Sequence, residues 1–243
     1  MRKTYPLVLL VLCVSILGAL YYATKPAPRT SGDSSEPLAT TTTPQTDATS
    51  TKVVEEVVDT KPKEVDPHAN EVKLRAYTTA YTYYDNTPPG SAIIAFRKSD
   101  GFATVHDVAG GTGTYADPIT IAVGHVIENG VDTPDFAPGT RFYLPNLRKY
   151  FMVEDTCGDG ATPQNGPCHK LTQEASSTGA TVWLDLWIGG SDATQEEAQA
   201  CAAEVTEAFA VIQNPAPNYA VAPGPVIADH SCAKQFGDKV VVQ

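Results

Sequence analysis

The part of the sequence that follows residue 71 predicts one mostly β domain, built as a small barrel or sandwich. Three observations lead to this prediction. Short apolar or alternating runs recur along it and are separated by turns rich in Gly and Pro. Only residues 195–207 have a helical composition, with acidic residues near the start. The remaining length, roughly 170 residues, is that of one ordinary domain with room for a core.

The predicted strands follow one another at short intervals. The first strand alternates along its length, so that one face carries Tyr77, Thr79, Tyr81 and Tyr83. It ends at the turn-forming sequence DNTPPG of residues 85–90. The candidate strands are 77–84, 93–96, 119–123, 141–144, 150–155 and 181–188, with weaker candidates at 209–213 and 226–228.

The N-terminal residues 1–24 have the pattern of an export signal. Arg2 and Lys3 form a short positive region, and residues 6–22 are uncharged and mostly apolar. A cleaved signal peptide and an uncleaved signal-anchor fit equally well, because the cleavage site is not clear and a membrane span needs about 20 apolar residues. A lipid-modified Cys13 is a third alternative, disfavoured by the preceding Leu12. Each alternative predicts a secreted or membrane-anchored protein whose domain lies outside the cytoplasm.

Residues 25–71 are predicted to form a disordered linker. They are rich in Thr, Ser, Pro, Glu and Lys, and they include an uninterrupted Thr run at 40–43. A segment of this kind cannot bury enough apolar surface to offset the entropy of ordering it. We therefore expect a semi-extended stalk that displays the β domain.

The charge pattern excludes nucleic acid as a partner. The formal net charge is −11, and the sequence contains no basic patch of the kind that nucleic-acid binding needs. Residues 110–113 (GGTG) resemble a phosphate-binding loop, but no Lys follows at the required position and no helix is predicted to begin there. A tight turn with positive φ is the better interpretation of these glycines. No cofactor is expected.

The cysteines of the exported domain predict two disulfide bonds. Three pairings of the four residues are possible. We favour Cys157–Cys168 together with Cys201–Cys232, because each bond closes a modest loop dense in Gly, Pro or Asn. The alternative is a metal site built from Cys157, Cys168 and His169, although this spacing matches no standard zinc pattern.

The sequence Trp183-Leu184-Asp185-Leu186-Trp187 is the candidate catalytic strand. If Leu184 and Leu186 face the core, Asp185 lies on the opposite face between two indoles. Partial desolvation would raise the pKa of this carboxyl, as a general acid acting on a glycosidic oxygen requires. The flat faces of Trp183 and Trp187 suit sugar stacking. The alternative is that both Trp are ordinary core residues and that Asp185 caps a turn.

Asp155 is the candidate second carboxylate. It ends a predicted strand in which Phe151, Val153 and Asp155 share one face, while Glu154 points the other way. The alternative is a strand-end Asp that binds turn amides. His125 follows another strand and could reach the same groove, as His106 and His169 also could, although a lone His is more often structural.

Four short motifs, taken in their order along the chain, resemble the double-psi β-barrel superfamily. They are Thr79-Ala80-Tyr81-Thr82, the Gly-rich residues 110–113, Val153-Glu154-Asp155-Thr156 and Leu184-Asp185-Leu186-Trp187. That superfamily includes expansins, barwin-like and RlpA-like domains, family 45 endoglucanases and MltA-type lytic transglycosylases. The resemblance implies a six-stranded double-psi β-barrel with a short helix over residues 72–190. Residues 191–243 would form a disulfide-tied extension packed on the barrel.

The resemblance also implies roles for individual residues. Asp185 matches the essential acid and Asp155 the accompanying Asp. The groove-lining strand is matched by Thr79, Tyr81 and Thr82, and the expected substrate-binding set is completed by Tyr83, Trp183, Trp187 and His125. A catalytic base for hydrolysis is not identified, and the available candidates are Asp85 and Asp117.

The expected function is therefore an interaction with a cell-wall or extracellular polysaccharide. The first hypothesis is an expansin-like domain that binds or loosens glycan in an aromatic groove around Asp185. The alternative is a glycan-cleaving enzyme, lytic transglycosylase or endoglucanase-like, in which Asp185 protonates the glycosidic oxygen. A second alternative is a structural surface domain without a glycan role. The expected partners are the polysaccharide and, if the N-terminal segment stays uncleaved, the membrane.

Overall fold

The structure, a computed structural model, describes residues 66–158 and 160–243. The expected export signal and nearly all of the expected linker lie outside these residues. Within the described part of the chain, no helix has the length and apolar character needed to cross a membrane.

The described residues form ten strands and two α-helices. The strands are β1 (Val72–Tyr81), β2 (Ile119–Val123), β3 (His125–Glu128), β4 (Val131–Pro134), β5 (Arg141–Leu144), β6 (Lys149–Thr156), β7 (Val182–Trp187), β8 (Glu207–Gln213), β9 (Ile227–Ala228) and β10 (Ser231–Cys232). The helices are α1 (Gln173–Ser177) and α2 (Gln195–Glu204), and two 3₁₀ turns lie at Lys98–Asp100 and Pro163–Asn165. The prediction of a mostly β domain is confirmed.

Six of the strands close a barrel in the order β1-β7-β2-β6-β5-β8. Two neighbouring pairs are parallel, β1 with β7 and β2 with β6. β8 pairs with both β1 and β5 and so closes the barrel. The barrel therefore does not end at residue 190, as the resemblance implied, because residues 207–213 supply the strand that removes its open edge.

The observed strands agree best with the prediction where apolar runs are short and bounded by turns. β2 and β5 begin and end as predicted. The prediction of a strand at residues 93–96 is wrong. This segment contacts β6 through two hydrogen bonds that belong to no β ladder. Ala95 N–H donates to the Asp155 carboxylate, and Phe96 N–H donates to the Glu154 carbonyl. The β3–β4 hairpin was not predicted, since its strands are short and carry no buried apolar side chain.

The barrel core is built from alternating residues of these strands. Leu184, Leu186 and Ile188 are fully buried, as their alternation predicted. β2 is buried along its whole length, because it has a barrel neighbour on each side and packs on both faces. Each fully buried Leu or Ile side chain contributes about 1.5–3 kcal/mol to folding.

A β-bulge interrupts β6 at Glu154. In the pairing with β2, Ile121 lies opposite Val153 and Ala122 opposite Asp155, so that Glu154 is the extra residue. A bulge re-aims the side chains around it. For this reason the expected alternation of Val153, Glu154 and Asp155 does not hold across this point.

Both favoured disulfide bonds are confirmed. Cys157 is bonded to Cys168, and Cys201 is bonded to Cys232. The second bond ties α2 to β10 and so holds the segment that follows β8. While the first bond is intact, neither of its sulfurs is available as a thiolate, which removes the basis of the alternative metal site with His169.

Two of the three glycines in residues 110–113, Gly111 and Gly113, have the positive φ that was predicted. Gly111 has φ +106°, and a Cβ at this position would lie 2.1 Å from the Pro118 carbonyl oxygen. We expect Gly111→Ala to lower the free energy of unfolding by about 3 kcal/mol, because backbone atoms would have to move. Urea denaturation measures this loss.

The matched control for this prediction is Gly101→Ala. Gly101 also has positive φ, +90°, but no atom of the described residues lies within 4 Å of a Cβ placed there. Its replacement should cost only the strain of the backbone conformation, about 1–2 kcal/mol. Equal losses in the two variants would contradict the steric explanation for Gly111.

Candidate active site

A cavity of about 370 Å³ lies where the carboxyl-terminal ends of β1 and β7 meet those of β2 and β6. Among the described residues, three carboxylates line it, and no Lys, Arg or His does. Its lining is formed by Tyr81, Asp85, Asn86, Thr87, Ile93, Ile94, Ala95, Ala122, Asp155, Thr156, Cys157, Gly158 and Asp185. Of the residues predicted for the site, Tyr81, Asp155 and Asp185 are in this set.

Strand register places the two predicted carboxylates on either side of Ala122. Asp185 lies opposite Ala122 in the antiparallel β2–β7 pair, and Asp155 lies opposite the same residue in the parallel β2–β6 pair. Neighbouring strands are about 4.8 Å apart, so the two Cα atoms are separated by about 10 Å. The small Ala122 side chain leaves open space between the two carboxyl groups.

Asp185 is held by a chain of hydrogen bonds that begins at an indole. Trp183 Nε1 donates to Thr79 Oγ1 over 2.8 Å, and the Thr79 hydroxyl donates to Asp185 Oδ1 over 2.5 Å. Burial raises the pKa of Asp185 to about 7, with the negative charges of Asp85 and Asp155 acting in the same direction. Asp185 is thus a carboxyl that stays protonated up to neutral pH.

Asp155 is bound more tightly than Asp185. Its Oδ1 accepts the backbone N–H groups of Ala95 and Thr156, each at 2.9 Å, and its Oδ2 accepts the Tyr81 hydroxyl at 3.1 Å. Burial nevertheless raises the pKa of Asp155 to about 6, because it outweighs these hydrogen bonds and the neighbouring Glu154 charge adds to it. Asp155 therefore binds turn amides and also faces the cavity.

Asp85 is the third carboxylate of the cavity. The sequence makes Asp85 and Asp117 the candidate catalytic bases. Asp85 Oδ1 accepts the N–H of Thr82 at 2.6 Å and its hydroxyl at 2.7 Å, which fixes the turn after β1. Asp117 does not line the cavity and binds His106 instead.

The two Trp residues support the site from behind. Trp183 is 9% exposed and Trp187 is 6% exposed. Trp183 packs edge-on against Tyr77, and Trp187 packs edge-on against Tyr81. Neither indole lines the cavity, so their faces do not form the open stacking platform that was expected.

The other predicted substrate-binding residues lie beside the cavity. Thr82 is fully buried, Tyr83 is partly buried, and neither lines the cavity. His125 is buried and binds the Asp132 carboxylate at 2.7 Å and the Gly158 carbonyl at 2.9 Å. Burial acts to lower the pKa of His125, but these partners raise it overall. Since Gly158 lines the cavity, His125 supports its wall.

The disulfide bond Cys157–Cys168 forms part of the cavity wall. Both sulfurs lie within 4.8 Å of an Asp185 carboxylate oxygen. The bond thus places an apolar group against the carboxyl. This contact contributes to the desolvation that favours the protonated acid.

A charged cluster behind the cavity was missed by the sequence analysis. Glu154 is fully buried, and its Oε1 accepts the backbone N–H groups of Val105 and His106. Its Oε2 accepts the Thr120 hydroxyl at 2.6 Å and faces His106 Nδ1 at 2.8 Å. The other ring nitrogen of His106 faces Asp117 at 2.8 Å, so both nitrogens have acceptors and the imidazolium is favoured.

The pKa of His106 is raised, first by its hydrogen bond to Glu154 and further by Asp117. The sequence feature that could have indicated this buried cluster is the pair of adjacent acids, Glu154 and Asp155, at the end of a strand. The anchoring role of Glu154 depends on the bulge and on a loop that approaches from residues 95–106. Neither the bulge nor the approach of this loop can be recognised from a residue pattern in the sequence.

The comparisons with known proteins identify a relative in Dictyostelium discoideum. It is an uncharacterized protein, DDB_G0273701/DDB_G0273221, and is 31% identical to this chain over 123 residues. The aligned region covers 50% of this chain and 42% of the relative, so the similarity spans less than half of that protein. No solved structure matches the chain. The sequence profile of the DDB_G0273701 N-terminal domain matches residues 73–233, and the chain therefore belongs to this family.

Proposed function

We propose that this domain works outside the cytoplasm and cleaves glycosidic bonds of a polysaccharide, with Asp185 as the proton donor. The observation that carries the proposal is that two carboxyl groups, Asp185 and Asp155, line one cavity on either side of Ala122 and that burial raises the pKa of both, to about 7 and about 6. A buried carboxyl of raised pKa can give up a proton near neutral pH, as a general acid must, and a neighbouring carboxylate can act as the base.

In this mechanism Asp185 protonates the glycosidic oxygen as the bond to the anomeric carbon breaks. Asp155, ionised above about pH 6, removes a proton from the water that attacks that carbon. Ala122 lies between the two residues and lines the same cavity, and its small side chain leaves space for the attacking water that inverting hydrolysis requires. If the substrate's own hydroxyl attacks instead, the product is an anhydro-sugar and water is not consumed.

The barrel topology supports the proposed relationship to double-psi barrels. We propose this form because two parallel pairs, β1–β7 and β2–β6, join strands that are distant in the sequence and meet at their carboxyl-terminal ends. The candidate carboxylates lie at that meeting point. The glycan-active members of the superfamily are the basis for choosing a polysaccharide as substrate.

The second candidate function is expansin-like binding without cleavage. The hydrogen bonds of Asp155 favour it, because both carboxylate oxygens already accept protein donors and are less available to a water. The buried Trp faces argue against it, since a binding groove depends on exposed aromatic rings. Ile93, 53% exposed at the cavity rim, is the apolar contact that such binding would use.

The test is a pull-down of the purified full chain with insoluble peptidoglycan, cellulose and chitin, followed by mass spectrometry of the supernatants. Released oligosaccharides are expected from one polymer, and their ends distinguish hydrolysis from anhydro-sugar formation. Binding without released sugar would contradict cleavage and favour the expansin-like candidate. Failure to bind all three polymers would contradict both.

The pH dependence of cleavage gives a separate prediction. Asp155 must be ionised and Asp185 protonated, so kcat/KM should rise through about pH 6 and fall above about pH 7. Because the two carboxyl groups interact, the pKa values read from the rise and the fall of the profile describe the pair as a whole. Initial rates on the cleaved polymer between pH 4 and pH 9 measure the profile. A rate that stays flat to pH 9 would exclude Asp185 as the proton donor.

A further inference from the structure

A second cavity, of about 230 Å³, lies at the opposite end of β6 from the candidate active site. Its walls come from the turn between β5 and β6 and from residues 222–236, which follow β8. Lys149 at the start of β6 lines this cavity, and Asp155 near the end of the same strand lines the first. Asp155 lies six positions after Lys149 along the strand, a distance of about 20 Å. The two cavities are therefore distinct sites.

The lysine of this cavity is buried without a carboxylate. Lys149 is 2% exposed, and its Nζ donates to the carbonyls of Ala222 and Gly224 at 2.6 and 2.7 Å. Among the described residues it takes part in no ion pair. An ammonium group has three N–H donors, so one donor remains beyond these two bonds. Burial lowers the pKa of Lys149 to about 8, as expected for a cation that lacks a counter-charge.

Two more cations lie around one aromatic ring beside Lys149. Phe236 lines the cavity, with the Arg148 guanidinium 4.2 Å and the Lys234 ammonium 5.4 Å from its ring centroid. Arg148 Nε is buried and has no hydrogen-bond partner among the described residues. Neither Arg148 nor Lys234 pairs with an acid in the part of the chain that the structure describes. Three cations without acids are thus concentrated here, in a chain of net charge −11.

The rest of the wall limits the kind of anion that fits. Pro223, Pro225 and Val226 supply apolar surface. The backbone N–H groups of Ala222, Gly224 and Ala233 are already bound to carbonyls, so the cationic side chains are the groups that would hold an anion here. The lysine ammonium groups can bind a carboxylate through charge-assisted hydrogen bonds, and the apolar wall favours an anion that carries a ring or a carbon chain. A volume below the roughly 300 Å³ of ordinary drug-sized sites admits one small ring.

We infer that this cavity binds a small organic carboxylate, with the carboxylate between Lys149 and Lys234 and its ring or carbon chain against Phe236. The bound anion would supply the counter-charge that Lys149 lacks. The site goes beyond the proposed glycan cleavage and does not depend on it, because it shares no lining residue with the first cavity. The disulfide bond Cys201–Cys232 holds one wall of the site in place.

The test is isothermal titration calorimetry of the full chain with benzoate and with glucuronate, which represent aromatic and sugar acids. Benzyl alcohol, glucose and inorganic phosphate serve as comparison ligands. Binding of at least one of the two acids is expected, with at least about tenfold weaker binding of the neutral analogues and of phosphate. Equal binding of the neutral analogue, stronger binding of phosphate, or no binding of either acid at about 10 mM would overturn the inference.

Three variants connect the binding to the cavity. Lys149→Met and Lys234→Ala should each weaken acid binding about tenfold or more, whereas Lys239→Ala, an exposed cation on the same C-terminal segment, should leave it unchanged. Lys234 is exposed, so its variant tests the site even if Lys149→Met fails to fold. Unchanged binding in Lys234→Ala, or an equal loss in Lys239→Ala, would show that the acid does not bind here.

Discussion

Replacing Asp185 by asparagine is expected to lower the rate of glycan cleavage by about 10²- to 10⁴-fold. The amide keeps the shape of the side chain and can still accept the Thr79 hydroxyl, but it has no proton to give to the leaving oxygen. The measurement is the initial rate of product release at the optimum pH. The matched control is Asp192→Asn, an exposed acid outside the cavity, which should keep the full rate.

The same variant is expected to stabilise the fold above neutral pH. The folded-state pKa of Asp185, about 7, is raised above its ordinary value of 3.8, so the native protein binds the proton more tightly than the unfolded chain does. Stability contributed by the protonated form is therefore lost as pH rises from about 4 to about 7. The asparagine side chain cannot ionise, and thermal unfolding of the variant at pH 8 should show a gain of a few kcal/mol that is absent at pH 4.

The two readouts of Asp185→Asn separate a functional acid from a structural one. If the variant loses activity and gains stability at pH 8, the Asp185 carboxylate lowers the stability of the fold at that pH. Residues of active sites commonly lower stability in this way. A variant that loses stability at pH 8 would show that the charged carboxylate holds the fold together. That result would contradict the assignment of Asp185 as a proton donor of raised pKa.

Replacing Glu154 by alanine is expected to lower the free energy of unfolding by about 3–5 kcal/mol. The side chain is fully buried and accepts two backbone N–H groups, the Thr120 hydroxyl and the His106 ring. Its removal leaves these donors and a histidine cation without their partner. Such a loss is a large part of the roughly 5–15 kcal/mol by which an ordinary domain is stable. Urea denaturation measures it.

Two further variants serve as comparisons for the loss of stability expected in Glu154→Ala. Glu154→Gln keeps the side-chain length and one carbonyl acceptor for the backbone N–H groups, so it should lose less stability than the alanine variant. Glu128→Ala removes an exposed acid of β3 and should change stability by less than about 0.5 kcal/mol. If Glu154→Ala were no less stable than Glu128→Ala, the cluster would not anchor the loop of residues 95–106.

Residue patterns were sufficient to predict the features that depend on local chemistry. The alternation in β7 placed Leu184 and Leu186 in the core and Asp185 on the other face, and two bounded apolar runs matched β2 and β5. Loop lengths and turn residues favoured the disulfide pairing that the structure contains. These features are predictable because side-chain direction in a strand and the reach of a short loop are set within a few residues.

The tertiary structure alone decided which residues share a cavity. Asp185 and Asp155 are 30 positions apart in the chain, and they flank Ala122 because β2 lies between β7 and β6 in the barrel. The burial of both indoles, the bulge at Glu154 and the cations around Phe236 likewise arise where distant segments pack. No local pattern contains that information, because strand order and bulge position are fixed by packing between segments far apart in sequence.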